Sequence, residues 1–330
     1  MKTIKLLSRS SQQYCAIFDF DNTCIFRDIG QAVFRYQIVN LEYRLSPEAF
    51  ADLLPELDGQ LGGTPHASIK KALISLYTAL MQRVQNGSRQ EACSCPAHQQ
   101  FRTLLLWYAT MARKDKRLGP QFVLPLMTKL LSGFSIKELH QLTARTIAAI
   151  TPEPLAEQEL RTVLPGPIGT LTTTYPMGMQ PFQEMRQLMA DLNSIGISCN
   201  VISASTGWMV QEAVRVFGFP VREENIFGVQ VQLSEDRLLT TKEKQGYPLT
   251  FRAGKVDVIQ KYINKPIALI AGDADTDYEM LTLPDIRLRL IINRNQTGII
   301  STLYQNPEYL LQGLDTSKGI FRPSRTTISS

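Results

Sequence analysis

Two carboxylates, Asp19 and Asp21, stand directly after the short apolar run Ala16, Ile17 and Phe18, in the stretch YCAIFDFDNTCIFRDIG. Three more acids, Asp273, Asp275 and Asp277, follow a second apolar run, PIALIAG. Between them, Ser203, Ser205 and Thr206 follow the run CNVI, and Lys255 stands just behind Gly254. If these runs are strands of one parallel sheet, the polar side chains converge on its carboxyl edge, where such sheets bind ligands. Convergence is costly. Two carboxylates about 4 Å apart repel by roughly 4 kcal/mol at an effective dielectric near 20. One lysine is too little to offset three acids. A hard dication such as Mg²⁺ would do it, because it takes oxygen ligands and tolerates water in its remaining positions. Asp19 and Asp273 are the pair expected to share the ion. Asp21, beside it, need not be a side-chain ligand.

The chain must supply elements that bring these ends together. Residues 14–20 read as a strand. From Asp28 to about Ile150 the pattern turns helical: Ser46-Pro47 is an N-cap followed by a first-turn proline, Ser135 and Glu138 have capping-box spacing, and ASIKKALISLYTALMQRV repeats apolar residues at three- and four-residue steps. Residues 151–179, with TPEP, PGP and TTTYP, read as a linker or hinge. Strand and helix then alternate: a helix over 181–195, the strand ISCNVIS, a helix over 207–217, the strand NIFGVQVQL, a turn at SEDRLL, a helix over 256–263, and the strands PIALIAG and IRLRLII. That rhythm predicts an α/β fold, a Rossmann-like doubly wound parallel sheet, with a large α-helical cap inserted after the first strand. The core is expected at 14–27 plus 176–314, the cap and linker at 28–175, and terminal tails at 1–13 and 315–330.

Composition removes several function classes. A net charge of +5 over 330 residues, with the basic residues scattered, gives no electrostatic case for nucleic acid. No window approaches the ~18 uninterrupted apolar residues of a membrane span. The start, MKTIKLLSRSSQQ, has no apolar run longer than Leu6-Leu7, against roughly 7–15 residues for an export signal. With five cysteines, an odd number, read as free thiols, this leads to the expectation of a cytoplasmic protein. The cluster CSCPAH offers Cys93, Cys95 and His98 but no second half, which argues for a polar loop over a zinc site.

DFDNT, VIS, GK and GDADTD, in this order, resemble the four motifs of the haloacid dehalogenase superfamily of phosphohydrolases. The segments ENIFGVQVQLSEDRLLT, GDADTDYEML and LIINRN extend the resemblance to the phosphoserine-phosphatase-like branch, and within it to the phosphorylcholine phosphatases. The small hydroxyl usual after the Gly-Asp of the last motif is Ala274 here.

The resemblance implies a Mg²⁺-dependent phosphomonoester hydrolase acting through an aspartyl-phosphate. Asp19 would be the nucleophile and Asp21 the general acid and base, with its backbone carbonyl on the ion. Thr23 would hold the loop, Ser203 would contact a phosphoryl oxygen, and Lys255 would sit between that oxygen and Asp19. Asp273 would bind the metal, with Asp277 assisting and Asp275 a weaker candidate for that part. Asp28 matches an acid that meets a substrate ammonium in this branch, so a small amine-bearing ester (phosphocholine, phosphoethanolamine or phosphoserine) is the expected partner. Asp28 also reads as an N-cap, Ser203, Ser205 and Thr206 as caps of the next helix, and Asp275 and Asp277 as first-turn acids. A phosphotransferase and a non-catalytic protein of the same fold are the competing functions.

Overall fold

The computed structural model describes residues 13–329. The first strand, β1 (Cys15–Phe18), is wholly buried. It can be apolar at every position because the sheet is covered on both faces: Ala16 and Phe18 belong to one hydrophobic cluster, Cys15 and Ile17 to another. The remaining strands of the sheet are β2 (Ser198–Thr206), β3 (Ile226–Val229), β4 (Ile267–Gly272), β5 (Leu288–Asn293), β6 (Tyr309–Asp315) and β7 (Ile320–Phe321). They lie in the order β7-β6-β5-β4-β1-β2-β3, parallel except for β7. The fold is therefore α/β with a central parallel sheet, and β1 sits within it, flanked by β4 and β2. No helix among the described residues is long and apolar enough to cross a membrane.

Between β1 and β2 come α1 (Ile29–Asn40), α2 (His66–Asn86), α3 (Pro96–Lys114), α4 (Gly119–Lys129) and α5 (Ile136–Ile150). Then α6 (Gln183–Ser194), α7 (Gly207–Phe217) and α8 (Ala253–Tyr262) accompany the sheet. Local signals start several of them. Asp28 caps α1, and Ser135 with Glu138 forms both halves of a capping box on α5. The cap has its own apolar core, where the rings of Phe50 and Tyr77 stack at 4.0 Å and Phe101 packs alongside. α5 instead seats the cap on the sheet domain: Leu139, Leu142 and Ile147 share a cluster with Val210 and Val214 of α7.

Three expectations need correction. Residues 151–179 are not a bare linker, since Glu157–Leu164 and Gly169–Pro176 pair as an antiparallel hairpin. Leu160, Leu164 and Leu171 from it enter the cap core; PGPIG is its turn, and the glycine and proline there masked the alternation on either side. The strand over NIFGVQVQL is broken at Gln230, so Val231–Leu233 leaves the sheet and pairs with Leu239–Glu243. Residues 315–329 return to the sheet: Phe321 pairs with Leu314 and stacks on Phe182 at 4.2 Å, and Ile328 N–H donates to Leu314 O. The expected lead-in lies outside the described residues except for Gln13.

His98 of CSCPAH is 4% exposed, with Nδ1 2.8 Å from Cys93 O and Nε2 3.0 Å from Ile38 O. Both ring nitrogens face carbonyls, so the ring ties α3 to the end of α1. All five cysteines are free thiols. His98→Ala is expected to destabilise the protein by about 1–3 kcal/mol, because the carbonyl that accepts the ring N–H loses its donor and the buried ring leaves a gap between the helices. An unchanged urea midpoint would show that the tie is not needed.

Candidate active site

Phe18, the last residue of β1, pairs with Val201 on β2 and Ala271 on β4. The Asp19 N–H then donates to Ala271 O at 2.9 Å, which fixes Asp19 at the carboxyl edge between the two neighbours. The chain turns away through Asn22 at φ 60°, a left-handed conformation that asparagine tolerates. Asn22 Oδ1 accepts the Arg27 N–H at 3.1 Å and closes the turn. Lys255 is brought in by α8, whose first turn lies against Leu249. A Cβ on Gly254 would come 1.8 Å from Leu249 O, so this approach requires glycine. Gly254→Ala is expected to displace the start of α8 and to cost about 1–3 kcal/mol. A crystal structure of the variant with Lys255 undisturbed and a wild-type melting curve would refute this.

The charges form one buried network. Lys255 Nζ donates to Asp19 Oδ1 and Asp277 Oδ1, both at 2.6 Å, and to Ile202 O at 2.9 Å. Asp277 Oδ2 accepts the N–H groups of Asp273 (2.9 Å) and Ala274 (3.2 Å), so both its oxygens are engaged. Asp273 Oδ1 accepts from Thr23 Oγ1 at 3.3 Å, and its Oδ2 from Arg294 Nη1 at 2.6 Å. Asp21 Oδ1 accepts the Ile29 N–H at 2.7 Å; its Oδ2 accepts from Ser203 Oγ at 2.9 Å and Ser205 Oγ at 2.7 Å. Lys255 and Asp277 are fully buried, and Asp19 and Asp273 are nearly so.

Burial, and then the charges of neighbouring acids, pushes the Asp19 carboxyl well above its ordinary pKa, against the pull of Lys255. Burial likewise raises Asp273, with Arg294 opposing. Asp21 is pushed up to about 7, by burial first and then by Asp28, while its backbone and serine hydrogen bonds act the other way. Burial disfavours the charge on Lys255, but Asp19 and Asp277 outweigh it and hold the ammonium pKa above its usual value.

Carboxylate oxygens of Asp19, Asp273 and Asp277 lie within 4.8 Å of one another. Four acids, Asp19, Asp21, Asp273 and Asp277, meet two cations, Lys255 and Arg294, so the network has room for two more positive charges. The donor set is all oxygen, the kind that suits Mg²⁺. Of the six carboxylate oxygens of Asp19, Asp273 and Asp277, Asp19 Oδ2 alone has no hydrogen-bond partner among the described residues; an ion shared between Asp19 and Asp273 would compete with Arg294 for Asp273 Oδ2, and Asp277 anchors Lys255 and the turn.

The residues expected from the strand ends and from the resemblance, Asp19, Asp21, Thr23, Asp28, Ser203, Lys255, Asp273 and Asp277, are gathered at this edge. Two details differ from expectation, and a third decides between the two readings of Asp28. Ser203 is fully buried and donates to Asp21 rather than facing the open cavity. Asp275 turns away and accepts the Ile300 N–H at 2.9 Å. Asp28 caps α1: its Oδ1 takes the Gln31 N–H at 2.8 Å, and its Oδ2 takes Gln31 Nε2 at 2.9 Å. Sequence reasoning misses two members. Ser205 reads as a helix cap, yet its hydroxyl goes to Asp21, and α7 has no side-chain cap. Arg294 directly follows β5, and the strand-end rule applied to that strand finds it.

Asp19, Asp21, Asp273, Ser205 and Arg294 line a cavity of about 280 Å³, to which the cap contributes Gly30, Gln31, Arg113, Leu124 and Met127. A second cavity of about 330 Å³ lies beside it in the cap and shares Asp28, Gln31, Arg113 and Met127 as walls.

No protein-family model matches the chain. No curated protein matches it significantly. Among solved structures, it is similar to a conserved protein of unknown function from Anaerococcus prevotii DSM 20548, with 23% identity over 100% of this chain and 94% of that one, and a TM-score of 0.88. A protein of unknown function from Bordetella pertussis Tohama I matches with 13% identity, 91% and 98% coverage and a TM-score of 0.50. A phosphoserine phosphohydrolase-like protein from Francisella tularensis subsp. tularensis SCHU S4 reaches a TM-score of only 0.40 at 12% identity, over 84% of this chain and 87% of that one. The first two share the fold.

Proposed function

We propose that this chain is a Mg²⁺-dependent phosphomonoester hydrolase of the haloacid dehalogenase type, working through an aspartyl-phosphate on Asp19. One observation carries the reading. Asp19 lines the cavity with one oxygen held by Lys255 and the other without a hydrogen-bond partner among the described residues, while Asp21 waits two residues on with a carboxyl pKa of about 7. A carboxylate held that way can attack phosphorus. As the Asp19 O–P bond forms, the bond from phosphorus to the alcohol oxygen breaks, and Asp21 gives that oxygen its proton. Water then attacks the phosphorus, Asp21 takes a proton from it, and phosphate leaves Asp19 as the free carboxylate. Ester and water become alcohol and phosphate. Mg²⁺, held by Asp19 and Asp273, would offset the repulsion between a carboxylate and a phosphate dianion. Ser203 and Ser205 orient Asp21, and Arg294 adds positive charge at the cavity wall.

The finer expectation, an amine-bearing ester such as phosphocholine, phosphoethanolamine or phosphoserine, rests on Asp28. That carboxylate is already occupied in capping α1, which weakens the case for it as an ammonium partner.

The test is release of inorganic phosphate from a panel of phosphomonoesters, p-nitrophenyl phosphate included. Release is expected with Mg²⁺, lost with EDTA and restored by added Mg²⁺. Phosphate appearing only on an added alcohol acceptor would make the protein a phosphotransferase. No turnover of any ester with Mg²⁺, Mn²⁺ or Co²⁺ would leave a non-catalytic binding protein.

A further inference from the structure

The cap cavity beside the acidic site has no part in the chemistry, yet it is the larger of the two. Its 330 Å³ falls at the low end of small-molecule sites, roughly 300–1,000 Å³. Phe34, Leu106, Ala109, Val123, Ile150 and Met179 make much of its wall. Arg27 is paired with Glu157 and Arg35 with Glu153, each at 2.9 Å. Arg35 also lies over the ring of Tyr175, 4.7 Å from its centroid, so a quaternary ammonium would find that aromatic face taken. Arg113 is different. It lines both cavities and has no carboxylate partner among the described residues. Asp28 shares the same walls, but its two oxygens are taken up by the Gln31 N–H and Gln31 Nε2, which leaves Arg113 as the charged side chain at the junction without a hydrogen-bond partner among the described residues.

We infer that the alcohol part of the substrate is an apolar body seated in the cap cavity, carrying an anionic group next to the phosphoester that pairs with Arg113. This deepens the hydrolase proposal and rests on it. Arg113 is half-buried, and a carboxylate beside its guanidinium would supply charge-assisted hydrogen bonds that the apolar walls do not offer. A compact aminoalcohol ester would leave the cap cavity unfilled and set its ammonium against Arg113.

Four alkyl phosphates with similar leaving oxygens separate the terms: O-phospho-3-phenyllactate, 2-phosphoglycolate, 3-phenylpropyl phosphate and phosphoethanolamine. The first is expected to exceed 2-phosphoglycolate and phosphoethanolamine in kcat/KM by at least about tenfold. Arg113→Gln should raise KM for phospho-phenyllactate about tenfold more than for 3-phenylpropyl phosphate, and Arg113→Lys should recover part of the difference. Thr110→Phe, which narrows the cap cavity, should erase the advantage of the phenyl esters over 2-phosphoglycolate. Phosphoethanolamine matching phospho-phenyllactate, or Arg113→Gln slowing all four esters equally, would overturn the inference while leaving the hydrolase standing. Failure of every ester, p-nitrophenyl phosphate included, would remove the hydrolase reading itself.

Discussion

Asp19→Asn is expected to reduce phosphate release by at least about 10⁴-fold, the scale on which covalent catalysts lose rate when the nucleophile is removed. The amide keeps the shape of the carboxylate and can still accept from Lys255, so the site should persist without its attacking group. It also removes a buried negative charge that burial and Asp277 disfavour. The variant should therefore fold and melt at or above the wild-type temperature while being inactive, a pattern that separates lost chemistry from lost structure. Wild-type activity in a folded Asp19→Asn protein would take Asp19 out of the mechanism.

Lys255→Met acts on the same network from the other side. Methionine fills much of the volume but leaves Asp19 and Asp277 facing each other with no cation between them. Removing one partner of a buried pair costs about 3–5 kcal/mol, because the surviving charge is stranded in low dielectric. Urea unfolding should show a loss of that size. Activity should fall as well: without the ammonium, the already raised Asp19 carboxyl rises further and loses its nucleophilic form. The double variant Lys255→Met/Asp277→Asn relieves one stranded charge and should regain part of the stability but little activity. A single variant that unfolds like wild type would mean that the network is not the electrostatic clamp described above.

Much of this site is legible in the sequence. An apolar run that stops abruptly at clustered acids gains no packing from them, so Asp19, Asp21, Asp273 and Asp277 stand out. The helix over 207–217 agrees with α7 because its apolar period and flanking glycines leave little freedom. What stays hidden is relational. Arg294 is an ordinary arginine until Asp273, 21 residues earlier, is placed against it. Arg113 gains meaning only from the absence of a partner among the described residues. The hairpin at 157–176 carries an alternating pattern, but its proline and glycine turn signals favour a linker. Whether Asp28 caps a helix or meets a ligand depends on rotamer and neighbours, which spacing does not encode.

The position of β1 sets an order of events during synthesis. Thr23, just past the strand, meets Asp273 across 250 residues of chain. At ~5–20 residues per second, a ribosome needs about 10–50 s to make that interval. The cap cluster, running from Phe34 to Leu171, is complete before β2 emerges. All the residues of the helical body are thus synthesised while β1 still lacks both lateral neighbours. A chain that stops short of Asp273 and Asp277 holds Asp19 without the acids that gather around it in the folded network.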